Sequence, residues 1–174
     1  MIDRRDMVQT HYSGSAEWSE VLELADSLVA YLEVEIVAER LDEANQPGQS
    51  SASVQAVFID EARRLGFSDE SRGLFERYSS RALRPDYYRR VGTTGVIMEV
   101  ERGKTTINNM DLLDFWKCHI CEHASYLLLM VPRELRQNPT MSPRREFATV
   151  AKRLESFFVP GNYTNVHGLV LLGY

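Results

Sequence analysis

Apolar residues recur at helical spacing between positions 17 and 43, and this periodicity predicts one long helix. Ser15 is placed to cap the start of this helix, and Glu17 and Glu20 lie near the positive end of its dipole. The next segment, residues 45–53, is uncharged and rich in glycine, proline and serine, which is typical of a linker. The apolar stripe of the helix consists of Val21, Leu22, Leu24, Leu28, Val29, Leu32, Ile36 and Val37.

A second helix is predicted over residues 53–65, with Gly66 after its end. Glu61 lies seven residues after Val54 and three after Phe58, so it falls on or beside the apolar face of this helix. A buried carboxylate in that position needs a partner, a metal ion or water. The structural alternative is a glutamate at the boundary of the face whose side chain reaches solvent.

The rest of the chain predicts strands and helices in alternation. Segments 73–78, 85–90 and 95–102 read as three strands, and the turn at 91–95 joins the last two in a hairpin. Residues 108–121 predict a well-buried helix, and the continuous apolar run 125–131 predicts an inner strand of a covered sheet. A proline in the first turn opens a fourth helix over 142–158, and 166–172 form a last strand. This order predicts an α/β fold with a central mixed sheet flanked by helices.

The length of 174 residues corresponds to about one domain. We expect residues 1–44 to form an N-terminal helical extension and residues 54–174 an α/β core, which together make effectively one domain. No apolar run approaches the ~18–20 residues that a membrane span needs, so we expect no membrane partner. The two cysteines, only three positions apart, do not suit a disulfide framework, and we expect an intracellular, cytoplasmic protein.

Charge is distributed unevenly along the chain. The net charge is −5, but residues 1–70 carry 15 acidic and 5 basic side chains, whereas residues 71–174 carry 10 acidic and 15 basic ones. Binding of nucleic acid depends on a local basic face and not on the total charge. The second part of the chain therefore permits a polyanionic partner. An ordinary solvated face is the alternative, above all for the basic residues of the fourth helix, Arg144, Arg145, Lys152 and Arg153.

Paired carboxylates on one predicted strand are the clearest chemical signal. Glu99 and Glu101 are two positions apart, so both project from the same face of the strand as Ile97. Two neighbouring carboxylates repel each other, and a cation commonly offsets that repulsion. Asp86 begins the other arm of the hairpin and can come close to Glu99, which makes three oxygen ligands for Mg²⁺. In the alternative, Glu99 and Glu101 form the solvent side of an edge strand.

In that alternative the two glutamates pair with Arg89 and Arg90 across the hairpin, and such surface pairs contribute little to stability. A zinc site in the segment Cys118-His119-Ile120-Cys121-Glu122-His123 is disfavoured, because on a helix its cysteines and histidines point in different directions. Cysteines on a buried helix usually pack as small apolar residues.

Pro85-Asp86, twelve intervening residues and then Glu99-Val100-Glu101 resemble the active-site signature of the PD-(D/E)xK nuclease superfamily. The order helix, three strands, helix, strand also resembles the core of that restriction-endonuclease-like fold, and the similarity spans about residues 54–131. The segment 83–132 further resembles a family of small uncharacterised bacterial proteins.

By this resemblance Asp86 and Glu99 are the metal ligands for Mg²⁺ or Mn²⁺, and Glu101 stands where most members have lysine. Lys104 or Lys117 would then supply the missing positive charge. Glu61 corresponds to the glutamate that many members add from the helix before the first strand, as a further metal ligand. The candidate catalytic residues are therefore Asp86, Glu99, Glu101, Lys104, Lys117 and Glu61.

The resemblance implies a divalent-metal-dependent nuclease that hydrolyses phosphodiester bonds in DNA, with a homodimer suited to cleavage of both strands. The side chains expected to contact the nucleic acid are Arg89, Arg90, Arg102, Asn108 and Asn109. A hypothesis of another class is a non-catalytic interaction or nucleic-acid-binding protein on a degenerate nuclease-like scaffold. In that case the acidic first helix is the working surface, and the protein is indifferent to Mg²⁺.

Overall fold

The computed structural model of the chain describes residues 1–69, 73–78, 83–103, 105–136 and 142–174. Its strands are β1 (Asp3–Val8), β2 (Ser68–Asp69), β3 (Tyr87–Val91), β4 (Thr94–Val100), β5 (Tyr126–Val131) and β6 (Gly168–Gly173). Within these ranges the strands form one sheet in the order β1-β6-β5-β4-β3-β2. β4, β5 and β6 are parallel neighbours, whereas the remaining pairs are antiparallel. This confirms the predicted mixed sheet.

Helices cover both faces of the sheet. The helices α1 (Ala16–Leu32), α2 (Glu35–Ala44) and α3 (Ser51–Arg64) pack on the face that carries Met98 and Val100. The helices α4 (Met110–Ile120) and α5 (Glu146–Glu155) contribute to a second core on the face that carries Ile97. The central strands β4, β5 and β6 are buried nearly throughout, because both of their faces are covered. None of the described helices has the length and apolar character to cross a membrane.

The N-terminal segment differs from its prediction in two ways. It begins with the edge strand β1, which pairs antiparallel with β6, so this segment contains a strand as well as helices. The predicted long helix is divided at Val34, whose backbone is extended and which precedes α2. This break turns Val37 and Leu41 toward the core and leaves Ile36 62% exposed, although Ile36 was expected in the apolar stripe.

Two further predictions are wrong. Residues 73–78 form turns and not a strand: Gly73 has a positive φ of 108°, and the Tyr78 N–H donates to the Phe75 carbonyl over 2.9 Å. The helix predicted to open at residue 142 begins only at Glu146. Arg144 is held in an extended bridge, in which the Leu135 N–H donates to its carbonyl over 2.9 Å.

Close contact between α1 and the sheet depends on Gly168 at the start of β6. A Cβ atom at this position would lie 2.6 Å from the Trp18 ring, which is buried and stacks on Tyr126. We expect Gly168→Ala to lower the free energy of unfolding by about 1–3 kcal/mol, the usual cost of an overpacked core. Urea denaturation measures this change. Gly14→Ala is the matched control, because a Cβ at Gly14 meets no atom within 4 Å, and an equal loss in both variants would contradict the packing argument.

Candidate active site

Asp86 and Glu99 meet where β3 begins and β4 approaches its end. Tyr87 pairs with Met98 in the sheet register, so the residue before Tyr87 lies beside the residue after Met98. The backbone N–H of Asp86 donates to Glu99 Oε2 over 3.2 Å, and the N–H of Val100 donates to Asp86 Oδ2 over 2.9 Å. The predicted proximity of Asp86 and Glu99 is confirmed.

Helix α4 brings a lysine and a further carboxylate to the same place. Lys117 Nζ lies 2.9 Å from Glu99 Oε1 and 2.9 Å from Asp114 Oδ1. All three residues are buried: Glu99 is 3% exposed and Asp114 is fully buried. The sequence predicts Lys117 as a source of positive charge in this site but does not single out Asp114. The available signal was the spacing of Asp114 and Lys117, which are three positions apart on a well-buried helix.

Glu101 follows β4 on the same side as Glu99. Its N–H donates to the Met130 carbonyl over 2.8 Å, and its own carbonyl accepts a hydrogen bond from Tyr174 Oη over 2.8 Å. Its backbone is therefore fixed, while its side chain is only half-buried. Burial, and then the negative charge of Asp114, raise the pKa of Glu101 to about 8 against the opposing effect of Lys117.

The neighbouring carboxyl groups share this behaviour. Burial, and then the charge of Asp114, raise the pKa of Glu99 well above its ordinary value, although Lys117 lowers it. Burial also raises the pKa of Asp86, and a hydrogen bond from Gln55 is among the opposing effects. For Lys117, burial lowers the pKa, but the charges of Glu99 and Asp114 outweigh burial and raise it. Lys117 is thus a permanent ammonium among carboxyl groups that hold their protons to a higher pH than usual.

The charge balance of this cluster fits a divalent cation. Asp86, Glu99, Glu101 and Asp114 surround a single ammonium, and the raised pKa of Glu101 reflects its burial beside Asp114, with which a protonated Glu101 shares a side-chain hydrogen bond. Carboxylate oxygens are the ligands that Mg²⁺ prefers. The ligand geometry is not preformed, however, because no group of three or more His, Cys, Asp or Glu side chains within the described ranges stands ready to hold a metal. A cation that binds Glu99 Oε1 or Asp114 Oδ1 would take over an oxygen that now accepts from Lys117.

An excess of buried carboxylate has a consequence for stability without metal. A carboxyl group whose pKa is raised by folding binds its proton more tightly in the folded state, so its contribution to stability is present at low pH and is lost as the pH rises toward the folded pKa. We expect Glu101→Gln to raise the melting temperature in EDTA by several degrees at pH 8.5, and by much less at pH 5. Thermal unfolding at both values measures this, and an equal effect at both would contradict it.

Glu61 is buried as predicted, but its carboxylate forms a bidentate pair with Arg64, over 2.7 and 2.6 Å. The hydrogen bond from Arg64 lowers the pKa of Glu61. The α3 side chain that reaches the cluster is Gln55, which bonds Asp86 and accepts a hydrogen bond from Tyr87 Oη over 3.2 Å. In the described structure Gln55, and not Glu61, is therefore the helix residue that contacts Asp86.

The arginines proposed as DNA contacts have partners within the chain. Arg89 pairs with Glu20 over 2.8 Å, beneath α1. Arg102 donates to backbone carbonyls of the α2–α3 linker, including that of Gln49 over 2.6 Å. The alternative in which Glu99 pairs with Arg89 or Arg90 on an edge strand is wrong, because β4 lies between β3 and β5 and Glu99 is buried.

Among the other candidates for DNA contact, Arg90 and Asn108 are exposed. Asn109 adopts a left-handed conformation, with φ at 55°, and its Oδ1 accepts from Arg153 over 2.6 Å. Lys104, the alternative source of positive charge, lies outside the described residues. Cys118 and Cys121 are both buried, in keeping with packing rather than zinc binding.

A second ionic cluster fixes the segment between β4 and α4. Arg153 Nε lies 3.3 Å from the fully buried Asp111, and the Thr106 N–H donates to the buried Glu146 over 3.3 Å. Arg144 lies 3.7 Å from Glu146. Arg144 and Arg153 are therefore engaged with buried acids, so the interpretation of these residues as an ordinary solvated face is wrong.

Comparison with known proteins shows a fold and no family. No protein-family model matches the chain, and no curated protein matches it by sequence. Among solved structures, the chain is similar to the restriction endonuclease BglII, solved in complex with a DNA 16-mer. The TM-score is 0.55 at 14% sequence identity, over 99% of this chain and 77% of that one. The fold is thus restriction-endonuclease-like, as predicted.

Proposed function

We propose that this protein is a divalent-metal-dependent nuclease that hydrolyses phosphodiester bonds in DNA. The observation that supports it most is the convergence of Asp86, Glu99 and Glu101 on Lys117 at the end of β4, in a restriction-endonuclease-like fold. An ordinary structural ion pair needs one carboxylate for each ammonium. This cluster has four carboxyl groups for one ammonium, and burial beside one another raises the pKa of each of them, which is the condition a bound cation would relieve.

Asp86 and Glu99 would hold Mg²⁺ or Mn²⁺, and Glu101 would lie at the solvent side of this metal site. Such an ion would supply charge neutralisation at the phosphate and make water in the site more acidic. Lys117 would stabilise the negative charge that develops on the phosphoryl oxygens, because its ammonium is fixed in a site with little water. Glu101, which is half-buried, would accept the proton of the attacking water in its ionised form, which the positive charge of a bound cation would favour.

We expect the purified protein to cut supercoiled plasmid or single-stranded DNA with Mg²⁺ or Mn²⁺ and to leave both intact in EDTA. Added metal should also raise the melting temperature, since a ligand that binds only the folded state stabilises it. Agarose electrophoresis and thermal unfolding, run on the same preparation, measure the two effects. Absence of both would contradict the proposal.

A second candidate is a non-catalytic interaction protein on this fold. The observation in its favour is that the oxygens of Glu99 already have donors in Asp86 N–H and Lys117, so the cluster stands as an ion-pair network without metal. In that case neither metal nor Asp86→Ala affects any interaction of the protein. The melting experiment separates the two functions without a DNA substrate.

A further inference from the structure

Lys117 lies between two buried carboxylates, and this position suits a role beyond charge stabilisation. Its Nζ is equally close, at 2.9 Å, to Glu99 Oε1 and to Asp114 Oδ1. Lys117 belongs to the interior, being only 6% exposed, and its ammonium lies between two carboxylates from different elements. This is the place between acidic oxygens that a cation would otherwise take.

Lys117 and a divalent cation would compete for the same acceptor, Glu99 Oε1. Glu99 Oε2 accepts the N–H of Asp86, so Oε1 is the oxygen left for another partner, and Lys117 holds it. A cation that binds Glu99 through Oε1 must therefore share or displace this contact. Asp114 differs from Glu99, because its second oxygen, Oδ2, accepts from no N–H group in the described part of the chain, and Asp114 shares a side-chain hydrogen bond with Glu101 when Glu101 is protonated.

We propose that Lys117 takes the place of the divalent cation at Glu99 in the metal-free protein, and that Asp114 retains Lys117 in the site when the cation takes over Glu99. This inference rests on the proposed function. It makes Asp114 a positioning residue for Lys117 and makes Lys117 an internal competitor of the metal. The exchange keeps Lys117 within the cluster, because Asp114 lies three residues earlier on the same helix.

Metal affinity tests the competition directly. We expect Lys117→Gln to bind Mg²⁺ at least about tenfold more tightly than the wild type in calorimetric titration, because removal of a neighbouring positive charge favours a cation at short range. The glutamine amide can still donate to Glu99 or Asp114. Lys117→Arg is the matched control, since it retains the charge and should keep an affinity near that of the wild type. Unchanged or weaker binding by Lys117→Gln would overturn the competition.

A measurement on the wild type keeps the inference testable if Lys117→Gln does not fold. The chain has three lysines, Lys104, Lys117 and Lys152, so selective isotope labelling of lysine gives a simple spectrum. Mg²⁺ titration should shift the Lys117 signal and speed the hydrogen exchange of its ammonium. Both changes should be half complete at the Mg²⁺ concentration that gives half of the rise in melting temperature. If the hydrogen exchange of the Lys117 ammonium is unchanged at saturating Mg²⁺, the proposal that the cation replaces Lys117 at Glu99 is overturned.

The role of Asp114 has its own readout. At saturating Mg²⁺ we expect Asp114→Asn to lower kcat for DNA cleavage by at least about tenfold, with Asp114→Glu recovering part of it. A purely structural role would change the unfolding free energy and leave kcat at saturating metal unchanged.

The failures of the two proposals are distinguishable. If Mg²⁺ binds, and binds Lys117→Gln more tightly, but DNA is not cut, the competition stands and the nuclease proposal fails. If DNA is cut but Lys117→Gln binds Mg²⁺ no more tightly, the nuclease stands and the competition fails. If neither wild type nor variant binds Mg²⁺, both fail.

Discussion

Replacing Glu99 by glutamine should reduce metal-dependent DNA cleavage by at least about 10²–10³-fold, the usual loss when one group that stabilises the transition state is removed. Glutamine has nearly the shape of glutamate and can accept the hydrogen bond that Asp86 N–H donates to Glu99. It lacks the charge that would hold Mg²⁺ and pair with Lys117. Asp86→Asn should have a comparable effect, because Asp86 is the second proposed ligand. Initial rates of plasmid nicking at several Mg²⁺ concentrations measure both losses.

Glu39→Gln is the matched control for these variants. Glu39 is an exposed residue of α2, so the same chemical change there should leave cleavage unaltered. The metal-induced rise in melting temperature should disappear in Glu99→Gln and Asp86→Asn and persist in Glu39→Gln. Cleavage at the wild-type rate by both site variants would show that Asp86 and Glu99 are not the ligands, even if the protein is a nuclease.

Lys117→Met should produce the largest loss of stability, about 3–5 kcal/mol in EDTA at neutral pH. The buried carboxylates of Glu99 and Asp114 would lose their shared cation, and breaking a buried pair by removal of one partner leaves an uncompensated charge. For a chain of this length such a loss lowers the melting temperature by on the order of 10 °C. Urea denaturation in EDTA measures the free energy, and added Mg²⁺ should restore part of it.

A control variant and a double variant test whether the loss of stability comes from the buried ion pair. Lys152→Met removes an exposed lysine from α5 and should change stability by no more than ~0.5 kcal/mol. The double variant Lys117→Met, Glu99→Gln should be more stable than Lys117→Met alone, since one of the unpaired charges is gone. If Lys117→Met is as stable as the wild type, the ion pair does not hold α4 to the sheet.

Local patterns in the sequence determined most of the elements that surround the site. The apolar run of β5 and the alternation around Glu99 and Glu101 predicted the central strands, because period and burial are local properties of a strand. The hairpin turn between β3 and β4 predicted that Asp86 approaches Glu99, since its short connection leaves little freedom in register. The fold class and the core of the candidate site followed from these elements.

The tertiary structure decided what depends on contacts between distant residues. Strand β1 is mostly charged and buries only Met7, so its pairing with β6 left no periodic signal in the sequence. Asp114 enters the site only because α4 packs on the sheet face that carries Ile97, and Gln55 is the α3 side chain that binds Asp86, whereas the Glu61 carboxylate pairs with Arg64. Arg89 and Arg102 were expected to contact DNA, but in the structure Arg89 pairs with Glu20 and Arg102 donates to the α2–α3 linker. Residue type and spacing fixed which groups were present, whereas packing fixed which of them met, because a side chain's partners depend on where its whole element docks.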